Sequence, residues 1–176
     1  MRILSASTNI CFSITNRCNL SCKHCLASST VGCREFSKDM LLNIIHQIRD
    51  MKIFNLSVFG GEPLMSEHFH YVVEELGKCP LVTSVNTNGT LIDREEAEWL
   101  KHTKIRSYCI SLDGSTPQVH DAFRGPGAFN DAIRGIEEIQ RIKKPITLSV
   151  IVTKFNFRDL ENIVKLALAM GLPVVR

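Results

Sequence analysis

Asn9-Ile10-Cys11-Phe12-Ser13-Ile14-Thr15 is a β-rich run that opens directly into Asn16-Arg17-Cys18-Asn19-Leu20-Ser21-Cys22-Lys23-His24-Cys25, a polar loop carrying three cysteines. The same grammar, a short strand discharging into a loop of chemistry-bearing residues, returns downstream. Further β-rich runs occupy residues 55–59, 83–87, 105–111, 147–152 and 173–175. Helical patterns lie between them. Residues 37–51 carry Met40, Leu41, Ile44, Ile45 and Ile48 at helical spacing, with Ser37 placed to cap the first turn. Residues 69–77 and 94–100 follow. Residues 128–142 gather Phe129, Ala132, Ile133, Ile136 and Ile139 on one face, and 158–170 end at Gly171, a favoured residue just past a helix.

Strand alternating with helix predicts parallel strands joined by right-handed crossovers. Two architectures satisfy it: a doubly wound open sheet and a partial β/α barrel. Both put functional loops at the carboxyl ends of the strands. The motifs of this chain do follow its strands.

Composition narrows the class. The chain has 176 residues, 44% hydrophobic and 22% charged, enough to bury one core. Its formal charge of +3, from 21 basic and 18 acidic residues scattered along the chain, argues against a nucleic-acid partner. No run approaches the roughly 18 apolar residues of a membrane span, and the N-terminus lacks the apolar stretch and cleavage site of a signal peptide. These features predict a cytoplasmic protein with no membrane partner. Seven cysteines is an odd number, and three of them lie between Cys18 and Cys25. Clustered thiols without a secretion signal point to a metal or cluster site in a reducing compartment. Cys109, between Tyr108 and Ile110, reads as a small core residue.

The cysteine spacing is C-x3-C-x2-C. A closed 4Fe–4S site takes four thiolates, so three leave one iron open to a further ligand, as catalytic zinc sites keep a position open. Structural zinc, with His24, Cys11 or Cys33 as fourth ligand, is the plainer alternative. Downstream, Gly60-Gly61-Glu62-Pro63 joins two small residues, which let backbone approach a ligand closely, to a carboxylate able to accept hydrogen bonds from an ammonium. Asn86-Thr87-Asn88-Gly89 ends the third run and is also a turn signal. Ser111-Leu112-Asp113-Gly114 ends the fourth, with His120-Asp121-Ala122-Phe123-Arg124-Gly125 beyond it.

Taken in order, these segments resemble the radical S-adenosylmethionine (radical SAM) superfamily. The cysteine loop looks like that family's cluster loop, Gly60–Pro63 like its motif for the methionine amino group, and Asn88 sits in a segment similar to its cofactor-edge "TNG". Thr153-Lys154-Phe155-Asn156 is similar to a "V-x-K-x-N" segment of many members. The resemblance implies a 4Fe–4S cluster on Cys18, Cys22 and Cys25. It implies S-adenosylmethionine contacts from His24 (near the adenine), Gly60, Gly61, Glu62, Asn88, Ser111 and Asp113 (ribose hydroxyls), and Arg124 (the carboxylate). The architecture it implies is α/β, a partial (β/α)6 TIM-like barrel of parallel strands, cut within the sixth strand at 173–175. Residues 1–176 would then be one core domain, incomplete at the C-terminus.

The activity implied is reductive cleavage of S-adenosylmethionine to a 5′-deoxyadenosyl radical, which abstracts hydrogen from a substrate. The protein would supply placement and the cofactor the chemistry. A low-potential donor of flavodoxin or ferredoxin type would deliver the electron. The loops look most like the SPASM/twitch branch of peptide and cofactor maturases, so a peptide or cofactor precursor is the expected substrate. A non-catalytic iron–sulfur or zinc-binding module is the competing reading; Gly60–Pro63 and Arg124 speak against it, because an electron carrier needs no loops for S-adenosylmethionine.

Overall fold

Five strands and six helices alternate in the computed structural model, which describes residues 9–25 and 35–172. The order is β1 (Asn9–Ser13), α1 (Lys38–Asp50), β2 (Asn55–Phe59), α2 (Phe69–Leu76), β3 (Val82–Thr87), α3 (Arg94–Lys101), β4 (Ser107–Ser111), α4 (Pro117–Arg124), α5 (Ala128–Arg141), β5 (Ile146–Ser149) and α6 (Leu160–Ala169). The strands form one sheet in the order β1-β2-β3-β4-β5, each pair parallel. Spatial order equal to chain order means that the winding never reverses. A doubly wound sheet requires such a reversal, so this sheet is the wall of a partial barrel.

The two faces of the sheet differ sharply in chemistry. One carries Phe12, Leu56, Val58, Val85, Tyr108, Ile110 and Leu148, all buried in a single core with Leu41 and Ile45 of α1, Val72 of α2, Leu100 of α3 and Ile136 of α5. That face is the one the helices cover. The other presents Cys11, Ser57, Ser84 and Ser107 in one register row, with Ser13, Phe59, Asn86, Cys109 and Thr147 toward the carboxyl ends. Hydroxyl and amide side chains bond across it: Ser57 Oγ lies 3.0 Å from Ser84 Oγ and donates to Asn86 Oδ1 at 3.3 Å, and Asn55 donates to Asn9 at 2.8 Å. Barrels of this type are ordinarily filled by branched apolar side chains. Here the concave face is polar and partly accessible.

Ser37 caps α1 as expected, accepting from Met40 N at 3.3 Å, although Met40 itself is exposed. β5 is shorter than the apolar run suggests. Asp113 accepts the Ile151 N–H at 2.8 Å and Asn156 donates to the Ile151 carbonyl at 3.0 Å, which draws the chain off the sheet. The sixth run, 173–175, and Cys33 lie outside the described residues. Helix α4 was not anticipated. Its signals are present in the sequence: Pro117 in the first turn, where a missing N–H costs nothing, and Gly125 after the last residue, at φ 113°.

Candidate functional site

The cysteine loop is held on three sides. At its start, Gly61 N donates to Thr15 O at 2.9 Å and Glu62 N to Arg17 O at 2.8 Å, so the turn after β2 continues the pairing of β1 and β2. A Cβ on Gly60 would collide with the Thr15 carbonyl oxygen, and one on Gly61 with that of Arg17. Their small size is thus required by the cysteine loop, and the close approach anticipated for a ligand is made by protein backbone. At the loop's far end Lys23 N donates to Phe123 O of α4 at 2.9 Å. Between them, Asn19 bonds to Asn88 and Thr90 in the loop after β3.

These contacts bring Cys18, Cys22 and Cys25 to the wall of one cavity of about 290 Å³. Its other walls include His24, Gly60, Gly61, Asn88, Ser111, Arg124, Phe59 and Asn86 from the sheet, and Ile151 just beyond β5. Burial pushes the Cys22 thiol above its ordinary value; Arg124 pulls it down, while Cys18 and Cys25 push it further up. Cys22 therefore lies close enough to both other sulfurs to feel their charge. Among the described residues no three His, Cys, Asp or Glu side chains converge on a single-ion site.

Two residues named from sequence, Glu62 and Asp113, face inward instead. The Glu62 carboxylate is fully buried and accepts from Thr87 Oγ1 at 2.7 Å, Asn88 N at 2.7 Å and Leu64 N at 3.3 Å. Burial pushes its pKa up to about 7, against the pull of those hydrogen bonds and of Arg124. Asp113 is buried too, with Arg124 Nε at 2.6 Å from Oδ2, His24 Nε2 at 3.4 Å and Ile151 N at 2.8 Å from Oδ1. Arg124 thus lines the cavity with Nε fixed, and its terminal nitrogens carry no hydrogen bond among the described residues. His24 packs edge-on to Phe123, and its buried Nδ1 has no hydrogen-bond partner among the described residues.

Sequence reasoning missed two residues that build this wall. Asn156 is fully buried and donates to the carbonyls of Asp113 at 2.9 Å and Ile151 at 3.0 Å, joining the ends of β4 and β5. His120 accepts from Asp113 N at 3.1 Å on Nδ1, so the imidazole is neutral with its proton on Nε2. Burial, with Arg124 adding to it, pushes its pKa down to about 4. No sequence signal marks His120; Asn156 stands in the "V-x-K-x-N" segment.

The family described as the radical SAM superfamily matches residues 12–167. The chain belongs to the radical SAM superfamily. It is 33% identical over 174 residues to mycofactocin maturase MftC of Mycobacterium tuberculosis, an alignment covering 97% of this chain and 44% of that protein. It is 31% identical over 165 residues to an AdoMet-dependent heme synthase of Methanosarcina barkeri, covering 92% and 47% respectively. The chain therefore spans under half the length of these relatives. Among solved structures, Streptococcus suis SuiB bound to S-adenosylmethionine superposes with a TM-score of 0.86 at 17% identity, covering 97% of this chain and 40% of SuiB. That likeness shows the fold, a partial TIM-like radical SAM core.

The residues present fit the family's two groups. Three thiols on one wall are a donor set for an iron–sulfur cluster with one iron left open. Beside them are a guanidinium and an imidazole nitrogen on His24, whose remaining N–H and nitrogen sites have no partner among the described residues, and a hydroxyl from Ser111, a set suited to a polar ligand. A cavity of about 290 Å³ is of the size small-molecule sites have.

Proposed function

We propose that this chain is a radical SAM core domain, residues 1–176, in which Cys18, Cys22 and Cys25 hold a 4Fe–4S cluster and the adjoining cavity holds S-adenosylmethionine. The observation that carries the proposal is the meeting of all three thiols with Gly60, Gly61, Asn88, Ser111 and Arg124 around one cavity. Held by these three thiols, a cluster would supply the electron for reductive cleavage of S-adenosylmethionine to methionine and a 5′-deoxyadenosyl radical, the species that would take hydrogen from the substrate.

The residues of the chain bind and orient. Arg124, fixed at Nε by Asp113, presents its terminal N–H groups to the methionine carboxylate. Ser111 offers its hydroxyl to the ribose, and His24, half-buried and with its pKa lowered by that burial, stands beside the adenine. Glu62 and Asp113 act from beneath the cavity: the first secures the Gly60–Gly61 turn to the loop after β3, the second secures Arg124. Phe59, Ile151 and Leu20 keep water from the reacting bond. A low-potential flavodoxin or ferredoxin type of donor reduces the cluster, and the thiols suit the reducing cytoplasm. No helix of the described residues is long and apolar enough to cross a membrane.

A peptide is the substrate we favour. The concave strand positions that continue the cavity are neutral hydrogen-bonding side chains, Ser57, Ser84, Asn86, Ser107 and Thr147, which match peptide amides. They include no lysine or arginine to meet the carboxylates of a haem precursor. MftC is a maturase, and SuiB has been solved bound to its precursor peptide SuiA.

Anaerobic reconstitution with iron and sulfide, followed by dithionite and S-adenosylmethionine, should give 5′-deoxyadenosine. Cys18→Ala should abolish it. Undiminished product from the variant would refute the proposal, and a cluster that forms without any cleavage would favour an electron carrier.

A further inference from the structure

The loop after β3 places a hydrogen-bond donor on the cysteine loop, and the polarity of the network around it is fully determined. Thr90 N donates to Asn88 Oδ1 at 2.9 Å. A backbone N–H can only donate, so this contact fixes which end of the Asn88 amide is oxygen, a choice ordinarily open to a flip. The amino group must then face the cysteine loop. There Asn88 Nδ2 lies 2.9 Å from Asn19 Oδ1 and 3.9 Å from Cys18 Sγ. The remaining members agree: Asn19 Nδ2 donates to Thr90 Oγ1 at 2.8 Å, and Thr90 Oγ1 donates to Asn88 Oδ1 at 2.7 Å. Asn88, Asn19 and Thr90 therefore close a ring of hydrogen bonds with a consistent direction throughout. The second Asn88 N–H is left for the sulfur.

The amide is also held from behind. Asn88 is buried, and its backbone N–H donates to the Glu62 carboxylate at 2.7 Å. Leu20 N approaches the same sulfur at 3.4 Å, so Cys18 receives N–H groups from two directions.

Hydrogen bonds to cluster sulfurs set reduction potential, because a donor stabilises the more negative, reduced form more than the oxidised one. We propose that Asn88 is a positioning residue whose side-chain N–H to Cys18 raises the reduction potential of the cluster, over and above any contact with S-adenosylmethionine. The inference rests on the cluster reading given above.

Its test is a potential. The full chain, wild type and variants, is reconstituted anaerobically, and iron and sulfide per chain are measured first. The one-electron midpoint is then determined by titration monitored by electron paramagnetic resonance, without S-adenosylmethionine. Asn88→Ala should move the midpoint negative, so that at a fixed poise the ratio of reduced to oxidised cluster falls about tenfold, roughly 59 mV for one electron. Asn19→Ala breaks the ring but leaves the Asn88 amide fixed by Thr90 N, and its midpoint should match wild type. Unmoved midpoints in both variants, or equal shifts in both, would overturn the proposal. Should Asn88→Ala fail to hold a cluster, Asn88→Asp keeps the oxygen facing Thr90 and replaces the donor, and should also shift the midpoint negative. Loss of the cluster in both Asn88 variants overturns it as well, since Asn88 would then be holding the loop together. A wild type that assembles no cluster sinks the underlying reading instead.

Discussion

Glu62 and Asp113 invite comparison. Each is a buried carboxylate just beyond a strand end, and each ties together loops that bound the same cavity. Among the described residues Glu62 accepts hydrogen bonds from neutral donors alone, two backbone N–H groups and a hydroxyl, with the Arg124 charge acting only from a distance. Asp113 adds a cation in contact, the Arg124 guanidinium at 2.6 Å. An anion satisfied by dipoles can be replaced by a neutral group at modest cost. An anion satisfied by a buried cation cannot lose that cation without leaving uncompensated charge in the interior. One side of the site is thus held by a hydrogen-bonded post and the other by an ion pair, and the two should break differently.

The largest effect is expected at the ion pair. Arg124→Leu leaves Asp113 buried with His24 as its nearest basic neighbour, and should destabilise the fold by about 3–5 kcal/mol in urea unfolding. Adding Asp113→Asn to that variant removes the stranded charge and should recover a good part of the loss. If Arg124→Leu costs no more than an ordinary surface substitution, the pair is not holding the β4 side together and the contrast with Glu62 is lost.

How far the sequence foretold this arrangement depends on distance along the chain. Strands and most helices were legible because helix-facing residues such as Leu56 and Val58, or Leu41, Ile45 and Ile48, repeat at the periods their elements require. The grouping of Cys18, Cys22 and Cys25 was legible because all three lie in one short loop. Helix α4 escaped because its eight residues include His120, Asp121 and Arg124, too polar to stand out. The direction of each carboxylate was not legible at all. Glu62 meets Asn88 across 26 positions, a contact fixed by the pairing of β2 with β3, and Asp113 meets Arg124 across 11, where α4 folds back on the end of β4. Likewise the pair Gly60-Gly61 announced a close approach and was read as one to a ligand; the approach to the Thr15 and Arg17 carbonyls exists only once β1 and β2 are aligned.

Protonation offers a second way to separate the two sides. His120, bonded to the Asp113 backbone, has its pKa lowered from 6.5 to about 4. The unfolded chain binds more protons in that window, so this group's contribution is intact above pH 6.5 and fades as the pH falls. Glu62 has its pKa raised from 4.5 to about 7. There the folded chain binds more protons, so the contribution is intact below pH 4.5 and fades as the pH rises. Each amounts to about 3 kcal/mol over its window. The slopes oppose one another, and in cluster-free wild type they should nearly cancel between pH 4.5 and 6.5. His120→Asn keeps an acceptor for Asp113 N and cannot titrate, so its stability should decline steadily as pH rises through that range. A variant curve parallel to wild type would show that the His120 shift is not a real difference between the folded and unfolded states.

The smallest effect is expected at the neutral post. In Glu62→Gln one carboxylate oxygen becomes an amide NH2, and the question is which donor must give way. Placing the NH2 opposite Asn88 N would set two donors 2.7 Å apart, in the position of the shorter backbone contact. Placing it opposite Thr87 and Leu64 is milder: the Thr87 hydroxyl can turn to accept, and only the 3.3 Å bond from Leu64 N is lost. One weakened backbone bond and a reoriented hydroxyl should cost about 1–2 kcal/mol, a loss offset as the pH rises above 4.5 because the amide escapes the cost of ionising Glu62 in the folded chain. The loss should fall below that of Arg124→Leu and leave the fold intact at neutral pH. A loss as large as that at Arg124 would mean that Glu62 acts as a charge and not as a hydrogen-bonded post, and the two sides of the site would then be held by the same kind of force.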